Sequence, residues 1–592
     1  MASSIKDAFK MAREKKGSEI PIAVTSEKIT LQEAKNESYL EVIDILTLLK
    51  NGFKPKAGLN NIHTSTQKKS NKFKQGTRST NQSVTSNITA DSLSVYNNPE
   101  VPKRKLESTA DNLKISFFPT KAEFLISNDI EEYQYKSSDL LGDALQVNKG
   151  NWHAQREVVI GLDFGTSSVK LVIGDHTTKK AFAVPFCISV GESQYLLPSR
   201  LYQDTDTYSL LNGSEVYRDL KLSLLANPDN KILQNRVVAF LTLLLRHARA
   251  WLFSNHGDIY TNSQILWKLS LGLPSADHLN AEHHEVFEKL ASVAWYLSAL
   301  SKKSISYSDV ESALNLDMID IARQEDFAEI VVIPEIAAQI YGYVSSSKFD
   351  PNASNIFLMV DIGAGTLDSC LFKVLPGKGG KWDFRFYTTL VQPNGVMNLH
   401  RYRMNWWSTI VSKYPQNFTI DIESIANAKL YTDRLSSIPD SINEYFSEID
   451  VTFNSKVQNP DIDFFMRRVV AQVRGATLWK AWNDKYLSQR SLSGIPIYVC
   501  GGGARMRFYR QLDTEMANFP GCSWLSASAR VLQKPDGLVA PGLADRDYDR
   551  LSVAYGLSFL DVNEVLKEIP SLEIATQDTI KWDENYISKD QC

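Results

Sequence analysis

The sequence lacks the cysteine patterns that stabilise secreted domains or hold metal ions. Its five cysteines are widely spaced and odd in number: Cys187, Cys370, Cys500, Cys522 and Cys592. This spacing fits neither a dense disulfide framework nor a CxxC-type metal site. We therefore expect the protein to work in a reducing compartment, the cytoplasm.

The sequence also lacks long apolar runs and a large excess of one charge. No stretch approaches the roughly 18 uncharged apolar residues of a membrane span, and the N-terminus has no apolar run of signal-peptide length. Acids and bases nearly balance at a formal net charge of −3. This balance gives no global electrostatic reason to expect a nucleic acid or a membrane as the main partner.

Two common nucleotide-binding motifs are missing as well. The chain contains neither the GxxxxGK[ST] P-loop nor the GxGxxG dinucleotide fingerprint. Any nucleotide must therefore be bound by a different arrangement of backbone and side chains.

The length and a change of texture near residue 150 predict a folded region behind an N-terminal extension. A chain of 592 residues exceeds what one hydrophobic core usually supports. Within residues 1–53, apolar residues at helical spacing between 30 and 52 predict a helix that packs on its own protein or docks into a partner. Residues 54–112 are rich in Ser, Thr, Asn and Lys, and residues 54–150 are predicted to be a largely disordered linker. The basic clusters of this linker are either solvated or contact an anionic polymer.

Beyond residue 150 the sequence alternates between strand-like and helix-like patterns, which predicts an α/β fold. The strand-like runs are residues 158–162, 169–173, 265–271, 330–333, 357–360, 369–374 and 497–500. The longest helical patterns are residues 240–252, 285–300 and 464–482.

The most informative feature is an internal repeat. The segment VVIGLDFGTSSVKLVIG has the same order of residue types as FLMVDIGAGTLDSCLFKV, which lies 198 residues later when counted from Asp163 to Asp361. Each segment consists of a strand, an acid, a turn of glycines and hydroxyls, and a second strand. Two equivalent hairpins are therefore predicted.

The residue types in the two turns favour phosphate binding. Glycines let backbone N–H groups face an anion, and hydroxyls add further donors. The turn residues are Gly165, Thr166, Ser167 and Ser168 in the first hairpin, and Gly363, Ala364, Gly365 and Thr366 in the second. Asp163 and Asp361 would hold a magnesium ion, usually through water, that bridges the phosphate oxygens.

Two further kinds of segment complete the pattern. In IPIYVCGGGARMRFYRQL, Gly501, Gly502 and Gly503 let a nucleoside lie against the main chain, and Arg505 is able to stack on a base or to hold a phosphate. The segments VVIPEIAAQIYGYV and DYDRLSVAYGLSFL each combine small residues with Tyr-Gly. They predict two helices that cross closely at the base of a cleft.

These segments together resemble the actin-like ATPase superfamily, and within it the nucleotide-binding domain of heat shock protein 70. DFGTSSVK is similar to the first phosphate loop, VIPEIAAQIYGY to the first connecting helix, DIGAGTLD to the second phosphate loop, CGGGARM to the adenosine loop and SVAYGLSFL to the second connecting helix. All five segments occur in family order between residues 158 and 560.

The resemblance implies an actin-like fold over residues 151–592, with two duplicated lobes around a nucleotide cleft. Lobe I would span about 151–360 and lobe II about 361–548, followed by a closing helix at about 549–562 and a short tail. The implied cofactors are ATP or ADP with Mg²⁺. Lys221 matches the catalytic lysine, Glu335 the glutamate that orients the attacking water, and Thr366 the contact to the terminal phosphate, while Asp361 also serves catalysis.

The implied function is a molecular switch that binds ATP, hydrolyses it slowly and couples nucleotide state to a protein partner or client. Only 32 residues follow Leu560, so we expect no peptide-binding domain like that of the chaperones in this family. An actin-like filament-forming ATPase and a nucleotide-bound scaffold without turnover are the alternatives. The sequence leaves the oligomeric state and the choice between adenine and guanine open.

Overall fold

The computed structural model describes residues 113–126, 153–274, 281–300, 302, 304–323, 327–377, 381–430, 438–454 and 459–560. The predicted N-terminal helix at residues 30–52 lies outside the described residues. Most of the predicted linker and the tail after Leu560 also lie outside them.

The strands in the described part of the chain are numbered in chain order. They are β1 Leu113–Phe117, β2 Ala154–Phe164, β3 Ser168–Asp175, β4 Lys180–Ala183, β5 Leu197–Pro198, β6 Leu201–Asp204, β7 Thr207–Ser209, β8 Glu215–Tyr217, β9 Ser263–Leu273, β10 Ile305–Ser306, β11 Glu329–Pro334, β12 Ile356–Ile362, β13 Leu367–Pro376, β14 Trp382–Gln392, β15 Ile449–Phe453, β16 Ile495–Cys500, β17 Ala527–Arg530 and β18 Leu538–Val539. All seven strand-like runs predicted from the sequence fall within these strands.

The helices are numbered in the same way. They are α1 Leu220–Ala226, α2 Lys231–Tyr260, α3 Ala281–Ser298, α4 Tyr307–Leu314, α5 Met318–Ala322, α6 Glu335–Val344, α7 Val396–Lys413, α8 Ile422–Leu430, α9 Pro460–Phe464, α10 Lys480–Asn483, α11 Gln489–Leu492, α12 Arg507–Ala517 and α13 Ser552–Leu557. A π-helix, Phe465–Trp479, continues α9 into α10, so the helix predicted at residues 464–482 is present with a wider central part.

The two largest sheets have the same topology. In the first, the order β11-β9-β2-β3-β4 has two parallel pairings followed by two antiparallel ones. In the second, the order β17-β16-β12-β13-β14 has the same sequence of pairings. The predicted α/β class is confirmed. We call the part built on the first sheet lobe I and the part built on the second lobe II.

Strand β2 shows why the central strands are continuous apolar runs. Its residues from Val158 to Phe164 are all buried, because both faces of the sheet are covered. Val158, Ile160 and Leu162 belong to the same core as the buried residues of α2 and α3. On the opposite face, a Cβ at Gly161 would lie 2.1 Å from the carbonyl oxygen of Ala554 in α13.

Helices α6 and α13 cross closely between the two sheets, as their small residues predict. A Cβ at Gly556 would lie 1.8 Å from the carbonyl oxygen of Ala338, so only glycine allows this approach. The core around the two helices takes side chains from both sheets, including Val172 of β3 and Met359 of β12. The crossing therefore joins the lobes beneath the cleft between them.

Helix α2 is the one described helix that is long and apolar enough to span a membrane by length and composition. However, 83% of its most apolar window is buried inside the protein. Its apolar residues are accounted for by the core of lobe I.

The predicted linker is wrong at residues 113–126. Strand β1 pairs antiparallel with β15, from Leu113 opposite Phe453 to Phe117 opposite Ile449. Ile115 and Phe117 are buried in a core with Trp407 of α7. The apolar residues at every second position of LKISF carry this strand signal, although the strand is only five residues long and follows a polar segment.

Two of the predicted lobe boundaries also need correction. The second sheet begins with β12 at Ile356, before the predicted boundary at residue 361. Strand β18 pairs with β4 in the first sheet, although residues 538–539 were predicted to belong to lobe II. The chain thus returns to lobe I at β18, shortly before α13. This return was not predicted from the sequence pattern.

Candidate functional site

A cleft of 640 Å³ lies between the two lobes, above the crossing helices. This volume is within the range of about 300–1,000 Å³ that is usual for small-molecule sites. Most of the predicted site residues line it: Asp163, Gly165, Thr166, Ser167, Ser168, Lys221, Glu335, Asp361, Gly363, Ala364, Thr366, Gly501, Gly502, Gly503 and Arg505. Gly365 does not line this cleft; its α-carbon approaches Leu222 and Thr166, with a built Cβ 2.8 Å from Leu222 Cδ1.

The turn of the first hairpin, between β2 and β3, is held from outside by Ser199. Its hydroxyl donates a hydrogen bond to the carbonyl oxygen of Gly165 at 2.7 Å, and its N–H donates to the carbonyl oxygen of Ser167 at 2.9 Å. Two carbonyl oxygens of the turn are thereby occupied. The Thr166 and Ser167 residues line the cleft with their donors available for an anion.

The turn of the second hairpin, between β12 and β13, is held by the N-terminus of α7. The N–H groups of Val396 and Met397 donate to the carbonyl oxygens of Gly363 and Ala364 at 3.1 and 2.8 Å. The side chain of Asn398 donates to the carbonyl oxygen of Gly365. These contacts satisfy helix N–H groups that have no partner within the helix.

Gly395 makes this arrangement possible. A Cβ at this position would lie 2.6 Å from the carbonyl oxygen of Ala364 and 2.7 Å from that of Gly363. The carbonyl oxygens of Gly363 and Ala364 are thus occupied by α7, and the N–H of Gly363 donates to the carbonyl oxygen of Thr366 across the turn at 2.9 Å.

The two predicted aspartates have different partners. Lys170, opposite Asp163 in the hairpin register, places its Nζ 3.0 Å from Asp163 Oδ2. Asp361 Oδ2 accepts a hydrogen bond of 2.8 Å from Gln339 Nε2 of α6. Burial raises the pKa of Asp361 above its ordinary value, and the Asp163 carboxylate raises it further, whereas Lys170 and Gln339 act in the opposite direction.

Gly501 begins the loop that follows β16, and it lets the side chain of Asp361 approach this loop closely. The residue has a φ of 86°, and a Cβ there would lie 2.2 Å from Asp361 Oδ1. Any other amino acid would meet both the left-handed backbone conformation and this carboxylate oxygen.

Lys221 of α1 and Glu335 at the start of α6 form a direct ion pair. Lys221 Nζ donates to Glu335 Oε1 at 2.5 Å. Lys221 is buried, and the Glu335 side chain is 19% exposed. Burial raises the pKa of Glu335, opposed by Lys221 and reinforced by the carboxylates of Asp163 and Asp361.

Arg505 contacts carboxylates through both of its terminal nitrogens, Nη1 and Nη2. It donates to Asp549 at 3.0 and 3.1 Å and to Asp547 at 3.2 Å. Glu192 Oε2 lies 2.8 Å from the same guanidinium. The flat faces of the group are then its remaining means of contacting a ligand.

Five residues at the site were not predicted from the sequence: Lys170, Ser199, Gln339, Asn398 and Glu192. Lys170 had a local signal, because it follows Asp163 by the same number of residues as Asp368 follows Asp361. Gln339 also had one, since it lies one helical turn after Glu335. The other three reach the site through tertiary contacts that leave no local pattern.

The described residues contain no group of three or more His, Cys, Asp or Glu side chains placed to hold a metal ion directly. Asp163 and Asp361 therefore remain the candidates for a cation that is bound mainly by water and by a ligand. Such binding is usual for Mg²⁺, which retains several of its waters.

No protein family matches the chain, and a search of curated proteins also gave no match.

Proposed function

We propose that this chain binds Mg²⁺ and ATP in the interlobe cleft, hydrolyses ATP slowly, and has the fold and switching role of the actin-like and heat-shock-70-type ATPases. One observation carries the proposal. The two topologically equivalent hairpins face one cleft, each with an aspartate on the strand before its turn and with carbonyl groups of the turn already occupied by hydrogen bonds within the protein.

The phosphates would lie between the two turns. Thr166, Ser167 and Thr366 supply hydroxyl groups there, and the turns supply backbone N–H groups. Donors fixed in this way need no reorganisation when an anion arrives, which is the main requirement of phosphoryl-transfer sites.

Asp163 and Asp361 fit a water-bound Mg²⁺. A cation near them would offset the repulsion that raises the pKa of Asp361. When bound with ATP, Mg²⁺ would neutralise charge on the phosphate oxygens. Lys170 already compensates Asp163, whereas Asp361 lies opposite a second carboxylate, that of Asp368.

Lys221 and Glu335 would serve hydrolysis. The raised pKa of Glu335 fits a carboxylate that accepts a hydrogen bond from an attacking water and orients it. Lys221 would hold Glu335 in place and add positive charge beside the terminal phosphate.

Arg505 would stack on the nucleobase. The sequence left stacking and phosphate binding open, but an arginine whose in-plane donors contact Glu192, Asp547 and Asp549 is unsuited to a phosphate. Its flat faces remain suited to an aromatic ring.

A nucleotide-bound scaffold without turnover is the second candidate. The observation in its favour is that the two lysines of the site, Lys170 and Lys221, already pair with carboxylates of the protein. If these pairs persist with ATP bound, the lysines contribute little to the transition state.

Phosphate release from ATP by the full chain distinguishes the two candidates. The proposal predicts slow turnover by the wild type, loss of turnover in Glu335→Gln with ATP binding retained, and no effect of Glu329→Gln, a control on the surface pair with Lys268. Binding without phosphate release by the wild type would favour the scaffold. Turnover that is unchanged in Glu335→Gln would refute the assigned role of Glu335.

A further inference from the structure

One ion pair at the cleft connects the two lobes directly. Glu192, in the connection between β4 and β5 of lobe I, lies 2.8 Å from Arg505, which follows the glycine triplet in lobe II. Both residues line the cleft, and their side chains are 30% and 29% exposed. The pair therefore closes part of the cleft on the side of the proposed base site.

The backbone around Glu192 is fixed, so the side chain is presented to the cleft in a defined position. Gly191 has a φ of 89° and precedes the short 3₁₀-helix Glu192–Tyr195. Gln194 Nε2 and the Tyr195 hydroxyl both donate to the carbonyl oxygen of Pro541, at 2.9 and 2.7 Å. Tyr195 is itself buried.

Arg505 is fixed in a similar way from lobe II and from the segment before α13. Asp547 and Asp549 belong to the 3₁₀-helix Asp545–Arg550, which leads into α13. Glu192 is thus a contact from lobe I to an arginine that Asp547 and Asp549 also hold. Separation of the lobes by a few ångströms would break the contact between Glu192 and Arg505.

We propose that the Glu192–Arg505 ion pair is an interlobe latch that controls the release of nucleotide. This role rests on the proposed function, since it places the nucleobase against Arg505. Because the pair is partly exposed, it is weak and readily reversible. It slows release and orients Arg505, and it does not lock the cleft.

Dissociation of the fluorescent nucleotide N-methylanthraniloyl-ADP from the full chain tests the latch in the presence of MgCl₂ and excess unlabelled ADP. At low salt we expect Glu192→Gln to accelerate release by about 1.5-fold to fivefold. Salt should accelerate release from the wild type more than from the variant, because salt screens the ion pair. Glu329→Gln, which removes a pair within lobe I, should behave as the wild type. Equal rates and equal salt dependence for Glu192→Gln and the wild type would overturn the proposal.

Hydrogen exchange without nucleotide tests the contact separately from the proposed function. The amides of Ala504 and Met506 are hydrogen-bonded on one side of the pair, and those of Phe186 and Leu196 on the other. Glu192→Gln should raise the exchange rates of both pairs of amides, whereas Glu329→Gln should raise neither. Unchanged exchange would refute the latch. Failure of the wild type to bind N-methylanthraniloyl-ADP, together with raised exchange, would remove the nucleotide function and with it the control of release.

Discussion

Lys170 Nζ lies 3.0 Å from Asp163 Oδ2 across the first hairpin, whereas the same position of the second hairpin places Asp368 opposite Asp361. The hairpins are thus equivalent in backbone but opposite in charge at this position. The first carries a compensated carboxylate, and the second brings two carboxylates to the same cleft.

Replacement of Lys170 by Gln should shift the pH dependence of ATP binding. Lys170 lowers the pKa of Asp361, so its removal raises that pKa. Binding through Asp361 needs the ionised carboxylate and is lost as the pH falls through the pKa. The loss should therefore occur at higher pH in Lys170→Gln, as measured by calorimetry between pH 5 and 8. Lys268→Gln is the control, and an unchanged profile in Lys170→Gln would contradict the account.

Replacement of Gly501 by Ala should abolish nucleotide binding. The Cβ would lie 2.2 Å from Asp361 Oδ1 in a residue with a φ of 86°. We expect a loss of about 1–3 kcal/mol in the free energy of unfolding, in addition to displacement of Asp361. Gly257→Ala serves as control, since a Cβ there meets nothing within 4 Å. Thermal unfolding and ATP titration of the two variants measure this, and wild-type binding by Gly501→Ala would refute the assigned geometry.

Replacement of Phe117 by Ala should destabilise lobe II. Phe117 is 3% exposed and makes edge contacts with Tyr414 and Phe418 at centroid distances of 5.4 and 5.7 Å. Loss of a buried phenyl ring costs about 3–5 kcal/mol. Denaturant unfolding should show this loss, whereas Leu125→Ala, at an exposed position, should unfold like the wild type. Equal stability of Phe117→Ala and the wild type would contradict the prediction, because it would mean that the packing of β1 does not stabilise lobe II.

His400 should make stability depend on pH. Its ring contacts the Tyr445 hydroxyl and the carbonyl oxygen of Ala428, and burial lowers its pKa to about 4. Below about pH 6.5 the unfolded chain takes up a proton that the folded chain refuses. Stability should therefore fall as the pH falls from about 6.5 to 4, by about 3 kcal/mol from this group.

The variant His400→Gln should lose this part of the pH dependence. His153→Gln, at an exposed position, should retain it. Denaturant midpoints at several pH values measure the difference. A slope in His400→Gln equal to that of the wild type would contradict the assignment.

The hairpins and the crossing helices could be predicted from the sequence because their signals are local. A strand, an acid and a glycine-rich turn occupy consecutive positions, and the same order recurs at Asp163 and Asp361. The small residues Ala338 and Gly556 likewise indicate the close crossing of the two helices, and the structure shows this crossing.

The groups that hold the turns could not be predicted in this way. Ser199 and Asn398 bind turns that lie 34 and 33 residues earlier in the chain. Nothing in the neighbourhood of either residue distinguishes it from an ordinary polar residue. Their contacts arise only when the sheet and α7 are assembled. Strand β1 was missed for a different reason, because its alternating pattern spans only five residues and directly follows a polar stretch.

Calorimetric titration of the full chain with ATP in the presence of MgCl₂ tests the central claim most directly. The account predicts micromolar binding by the wild type, at least tenfold weaker binding by Asp361→Asn, and wild-type binding by Asp320→Asn, which alters an exposed pair on α5. Absence of binding by the wild type, or equal affinity of Asp361→Asn and the wild type, would contradict the account.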